Sequence, residues 1–270
     1  MFTKLLAYEI RSRFRADARS FGAFIVTIAV ASGIVAAGLP GISGSTAFLA
    51  YALCALTPVA CAIAAMADYW KTLYGQRGYF TMSLPVSGRV IFWAKNTRIA
   101  IECLLALALA VGGVIAVASA AAWSDGISLA EYTAGPRSVV AGMPTSTVVI
   151  MIVAQVIMSL SWLVQGSAVM TIGAEGRFNH MGFGAPIIGF VLLYIVNQVL
   201  STVGTFFFPL SVTTDGHFST EITWTSYQAT LGTDGHPNVI GIGSYVLVPL
   251  CALAMGLWAS RSIERHTSLR

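Results

Sequence analysis

Only 10% of the 270 residues are charged, where soluble domains carry roughly 25%. No water-soluble core can hide the 56% of hydrophobic residues that dominate what remains. Histidine is also scarce, with four in the chain. The six long apolar stretches hold no His, no Asp and a single Glu, so an intramembrane protease would lack a base, an aspartyl pair and a His/Glu metal cluster alike. No G-x-x-x-x-G-K-[ST] run occurs, which excludes ATP hydrolysis by a phosphate-binding loop of that kind. There are four cysteines. Cys54 and Cys61 lie two turns apart on one face of an apolar stretch, and Cys103 and Cys251 lie inside two others, where a thiol serves as a small packing residue. The absence of an N-x-[ST] sequon gives no sign of a glycosylated ectodomain.

Long uncharged runs are what the chain has in place of charge. They span roughly Phe21–Leu39, Thr46–Ala67, Ile99–Trp123, Thr147–Ile172, Phe183–Leu210 and Val239–Ala259. Each reaches the roughly 20 residues a helix needs to cross about 30 Å of hydrocarbon, and Glu102 is the only formal charge in any of them. Mean hydropathy of +0.78 agrees. Of fifteen Lys and Arg residues, only Arg137 falls in a segment that would lie on the outer side if the N-terminus is inside. Because basic flanks stay cytoplasmic, the expected topology has six spans with both termini in the cytoplasm. The sequence pI of about 9.0 then reflects a basic inner face opposite anionic lipid, and nucleic acid is not an expected partner.

Residues 1–20 are expected to form an interfacial amphipathic helix ahead of a six-span domain over residues 21–270. Phe2, Leu5, Leu6, Ile10 and Phe14 gather on one side and Lys4, Arg11 and Arg15 on another. Such a helix suits a lever touching a cytoplasmic partner or an anchor stiffening the first span. Its basic character differs from a cleaved signal peptide, so the first span is expected to do the targeting.

Connections alternate in length. Pro40–Ser45 permits only a tight outer turn, which makes the first two spans antiparallel neighbours. The outer loops 124–146 and 211–238 carry Asp125, Glu131, Asp215, Glu221 and Asp234. In the second, Thr214-Asp215-Gly216-His217 recurs as Thr233-Asp234-Gly235-His236 around a Thr-, Ile-, Trp- and Tyr-rich stretch, Phe218–Thr230. Asp-Gly turns flanking such residues predict a small β-structured outer cap, although two Asp and two His are also able to ligate a metal.

Polar groups inside the spans are few. Arg98 precedes Glu102 by four residues, so the two can pair on one helix face while Arg98 snorkels to the headgroups; gating or ion passage is the other reading of Glu102. Gln155, Gln165, Asn197 and Gln198 suit interhelical hydrogen bonds or the lining of a substrate path. Pro58 and Pro249 sit where helix kinks are expected, and Ala29, Gly33 and Ala37 form a small-residue stripe open to another helix.

The inner segment 68–98 is the most informative. A loop joining two antiparallel helices needs about 2–8 residues, yet this one runs to about 30 and includes Tyr69, Trp70, Tyr74, Tyr79, Phe80, Phe92 and Trp93. Aromatics with Arg are enriched at protein interfaces; an aromatic belt with basic topology markers is the blander account. Its core reads Gly78-Tyr79-Phe80-Thr81-Met82-Ser83-Leu84-Pro85-Val86-Ser87, followed by a helical stretch with Lys95. At these residues the chain resembles permease subunits of the bacterial type-2 ABC exporter family, and the layout of amphipathic start, six spans, long inner loop and outer excursion before the last span extends the resemblance along the chain.

The resemblance implies a non-enzymatic membrane subunit in a bacterial cell membrane, paired with a second permease subunit, identical or different, and with separate ABC ATPase subunits. Docking would fall to Gly78, Tyr79, Leu84, Pro85, Val86, Ser87 and Lys95, with Arg77 beside them; Arg98, Glu102, Gln155, Asn197 and Gln198 are the candidates for gating or the translocation path. The chain would hold no cofactor, ATP and magnesium belonging to the partner ATPase. A self-contained channel or secondary transporter, or a non-transporting assembly or sensor protein, are the alternatives. In a background lacking the four native cysteines, Gln76→Cys and Thr225→Cys are expected to react with an impermeant thiol reagent from opposite sides of the membrane. Labelling of both from outside would exclude the six-span topology.

Overall fold

The computed structural model describes residues 1–75, 78–83, 85–231 and 236–265, except the side chains of residues 80, 82, 179 and 265. The first half comprises helices α1 (Phe2–Ala36), α2 (Ser43–Leu73), α3 (Gly78–Met82), α4 (Gly88–Ser124), α5 (Leu129–Tyr132) and α6 (Ala134–Ala141). There follow α7 (Thr145–Gly173), a 3-10 turn (Gly176–Met181), α8 (Gly184–Phe206), strands β1 (Ser211–Thr213) and β2 (Phe218–Ser219), α9 (Thr223–Thr230), β3 (Val239–Gly241) and α10 (Ser244–Arg265). Six of these helices, α1, α2, α4, α7, α8 and α10, are long and apolar enough to cross a membrane. Only 11–39% of their most apolar stretches is buried within the chain, so the remaining apolar faces need lipid or a partner as solvent. The protein is an all-α, multi-pass membrane protein.

Two compact units divide the chain. The first contains residues 1–71 and 93–139. Its core joins Phe24 and Ile28 of α1, Ala50 and Cys54 of α2, and Ala110 and Val117 of α4. Gly113 makes that approach possible, because a Cβ there would stand 2.7 Å from Cys54 Sγ and 3.3 Å from Phe24 Cζ. The turn between α1 and α2 is tight, as its sequence requires, with Gly38 and Gly41 at φ of 64° and 76°. The basic N-terminal segment is helical and continues without a break into the first apolar stretch. Along it the buried and half-buried positions are Phe2, Leu5, Leu6, Glu9, Arg13 and Asp17, whereas Ile10 and Phe14 are exposed. Ala29, Gly33 and Ala37 are also exposed, and no atom lies within 4 Å of where a Cβ on Gly33 would sit.

The second unit contains residues 72–92 and 140–270. Helix α10 packs on α7 and α8. A reciprocal amide pair holds the three together: Gln165 Nε2 donates to Asn197 Oδ1 (3.2 Å) and to the Val248 carbonyl (3.3 Å), and Asn197 Nδ2 donates to Gln165 Oε1 (2.8 Å). Both amides are buried, so each satisfies what the other would otherwise leave unpaired in an apolar medium.

Above α8 sits a three-stranded antiparallel sheet in the order β2-β1-β3, with Ser211 opposite both Ser219 and Gly241. The Asp215-Gly216 turn closes the β1-β2 hairpin, Gly216 taking a φ of 81° and donating its N–H to the Thr213 carbonyl. The cap is therefore β-structured in part. The stretch Phe218–Thr230 departs from expectation: only Phe218–Ser219 is strand, and Thr223–Thr230 is helix α9. Its Trp224 stacks on Phe207 (5.7 Å between centroids) and Tyr227 (5.9 Å), which places the aromatics on the end of α8 instead of in a ladder. The second Thr-Asp-Gly repeat, residues 233–235, lies outside the described residues.

Candidate functional site

Helices α2 and α4 run further than their apolar stretches, so the connection between them shrinks to residues 74–87. Within the second unit, α3 and the turn after it form this connection. Thr81 is buried and its Oγ1 donates to the Thr72 carbonyl (2.9 Å), fixing α3 to the end of α2. Gly78 is buried as well, while Tyr79 is 55% exposed. Pro85 and Ser87 are exposed and Val86 half-buried; Arg77 and Leu84 lie outside the described residues.

The start of α4 is then fixed to the end of α10. A Cβ on Gly88 would fall 2.6 Å from Ile263 Cγ2 and 3.3 Å from the Glu264 backbone nitrogen, so this approach requires glycine. Glu264 receives both the backbone N–H of Arg89 (3.4 Å) and its Nε–H (3.1 Å). A carboxylate at that point satisfies a first-turn N–H of α4 and complements the helix dipole. Nearby in the same unit, Ser262 Oγ donates to Glu175 Oε1 (2.7 Å), and Glu175 Oε2 accepts from Arg177 (2.7 Å). Of the seven aromatics in the segment 68–98, Tyr69 and Phe92 are fully buried and serve packing. Tyr79 is the aromatic of this connection that stands well exposed among the described side chains.

Lys95 does not join that surface. It is 2% exposed, and its ammonium lies 2.9 Å from Glu9 Oε1 of α1 in the first unit. Arg98 is equally buried and is no snorkelling side chain. Its Nη1 donates to Glu102 Oε2 (2.7 Å), its Nη2 to Asp68 Oδ2 of α2 (3.2 Å), and its Nε stands 3.9 Å from Glu9 Oε2. Arg13 extends the group to Asp68 (3.3 Å) and Asp17 (3.8 Å). Four carboxylates and three cations from α1, α2 and α4 thus form one network. The Arg98–Glu102 pair was visible from its spacing; Glu9 was missed, although a carboxylate one turn after Leu5 on the apolar side of the helix is a signal that a buried partner was needed.

The remaining polar candidates separate in the second unit. Asn197 belongs to the closed amide pair with Gln165. Gln155 is exposed and accepts a hydrogen bond from the Tyr245 hydroxyl (2.9 Å). Gln198 is on the exposed side of α8, away from Asn197. These residues do not line one path within the unit. No family model, no curated protein and no solved structure matches this chain.

Proposed function

We propose that this protein is the membrane-spanning subunit of an ATP-driven exporter and that the connection 74–87 docks a separate ATPase subunit. The observation that carries the reading is Tyr79: an aromatic side chain 55% exposed on a short helix, in a connection whose two ends are tied down by Thr81 and by the Arg89–Glu264 pair. Exposed aromatics beside Arg on a pre-organised support are what interface hot spots use. Pro85, Ser87 and Arg89 supply polar and rigid neighbours. The sequence resemblance at Gly78–Ser87 supports the same surface, and Lys95 is withdrawn from it. In this reading nucleotide and magnesium bind only the partner, the permease pairs with a second permease, and both termini face the cytoplasm of a bacterial cell.

Tyr79→Asp combined with Leu84→Asp is expected to weaken ATPase co-purification at least about 30-fold, the consequence of losing one hot-spot contact. Membrane insertion should not change, and Tyr79→Asp alone should leave the thermal midpoint in detergent where it is, because Tyr79 is exposed. Stoichiometric ATPase retained on the double variant would exclude this surface as the docking site.

A further inference from the structure

Between α7, α8, α10 and the 3-10 turn, the second unit encloses a cavity of about 430 Å³. That is within the range of small-ligand sites, roughly 300–1,000 Å³. Its origin lies in two glycines. A Cβ on Gly173 would stand 2.9 Å from Pro186, and one on Gly189 would stand 2.7 Å from Val169 Cγ1. Helices α7 and α8 therefore close on each other, leaving the wedge toward α10 unfilled. Val169, Phe178, Leu193, Cys251 and Trp258 are among the lining residues, and apart from the Trp258 indole N–H and the Cys251 thiol the lining side chains offer no polar group. Water has too few partners to be stable there, and an apolar occupant is favoured. The opening is lateral, since Ile188, Leu192 and Trp258 line the cavity and are 50%, 57% and 54% exposed on helices long enough to span a bilayer.

A guanidinium adjoins the cavity. Phe178 carries the Arg177 guanidinium 4.6 Å from its ring centroid. Arg177 Nε is committed to Glu175, but no described residue takes its two terminal nitrogens. An apolar slot with the guanidinium of Arg177 at the edge of its Phe178 wall matches a molecule with an acyl chain and an anionic head.

We propose that this cavity is a binding site for one acyl chain of an anionic phospholipid, with the phosphate held by the terminal nitrogens of Arg177. The site needs only the membrane placement of the chain and does not rest on the transport reading. The test uses the full-length protein in phosphatidylcholine vesicles containing a minor fraction of phosphatidylglycerol with a photoactivatable diazirine in one acyl chain. Adducts should concentrate in residues 169–193 and 251–258. Ile188→Trp, which adds bulk at the exposed opening without entering the packed core, should remove most of them. Arg177→Gln should reduce the preference for phosphatidylglycerol over a phosphatidylcholine probe about fivefold, the effect of one cation beside an anionic lipid. Adducts spread evenly over the exposed faces of the six long helices and insensitive to Ile188→Trp would overturn the site, leaving annular lipid only. Equal labelling by the two lipids would overturn the anionic head. Extraction of a non-lipid apolar molecule from the cavity, in place of phospholipid, would overturn the assignment of the occupant.

Discussion

Arg98→Met is expected to be the most damaging single change in the first unit, lowering stability by about 3–5 kcal/mol, the cost of leaving buried charges without their partner. Removing this one cation leaves Glu102, Asp68 and Glu9 facing one another, with Lys95 committed to Glu9 and Arg13 on the far side of Asp68. The three carboxylates then repel in a medium that screens poorly. Arg89→Met provides the contrast. Its side chain is 52% exposed and pairs with a partly exposed Glu264, so its loss should cost no more than about 1 kcal/mol. Glu102→Gln falls between the two, because Arg98 keeps Asp68 and Glu9. The measurement is the apparent unfolding midpoint of purified protein in detergent. If Arg98→Met unfolds no earlier than Arg89→Met, the network is not a stabilising element.

Gly241→Ala should be nearly as severe in the second unit. The added Cβ would collide with the Thr205 carbonyl oxygen of α8 and stand 2.7 Å from Thr223 Oγ1. Two backbones meet here, so no side chain can swing away to relieve the overlap. A Cβ on Gly243 would meet the same kind of obstacle, 2.5 Å from the Gly204 carbonyl oxygen and from Phe208 Cβ. Overpacking of this kind costs about 1–3 kcal/mol, and a backbone obstacle puts it at the upper end. Lifting β3 from α8 should expose the outer loop 211–238 to protease while the transmembrane part stays resistant. Gly135→Ala is the control: Gly135 lies in α6 with open space around its Cα, and alanine there should stabilise by up to about 1 kcal/mol. Equal protease resistance in the wild type and Gly241→Ala would mean that the β3–α8 contact does not hold the cap.

What could be read from the sequence was whatever depends on neighbours along the chain. Hydropathy located all six long helices, the four-residue spacing paired Arg98 with Glu102, and Asp215-Gly216 marked a hairpin turn. Contacts between distant segments were not legible. Nothing local to Glu9 says that its partner is Lys95, and nothing local to Gln165 selects Asn197 over Gln155 or Gln198. Helix α9 shows the same limit from the other side: Thr, Trp and Tyr favour a pleated surface, but their preference is weak beside the packing of Trp224 on Phe207. The length argument for docking also weakened, since α2 and α4 absorb about half of the segment 68–98, and what survives rests on Tyr79 and its anchors.

The separation of paired groups along the chain sets an order of synthesis. Lys95 is made 86 residues after Glu9, which at about 5–20 residues per second is a wait of about 4–17 s. Asn197 follows Gln165 by only 32 residues, about 2–6 s. Glu9 therefore enters the membrane region long before any cation from α4 exists to receive it, and needs water or headgroups in the interval. The amide of Gln165 meets its partner on the very next long helix. The first unit can close its ionic network only after α4 has arrived, so its three helices are completed together, whereas the second unit can begin to assemble as each helix leaves the ribosome.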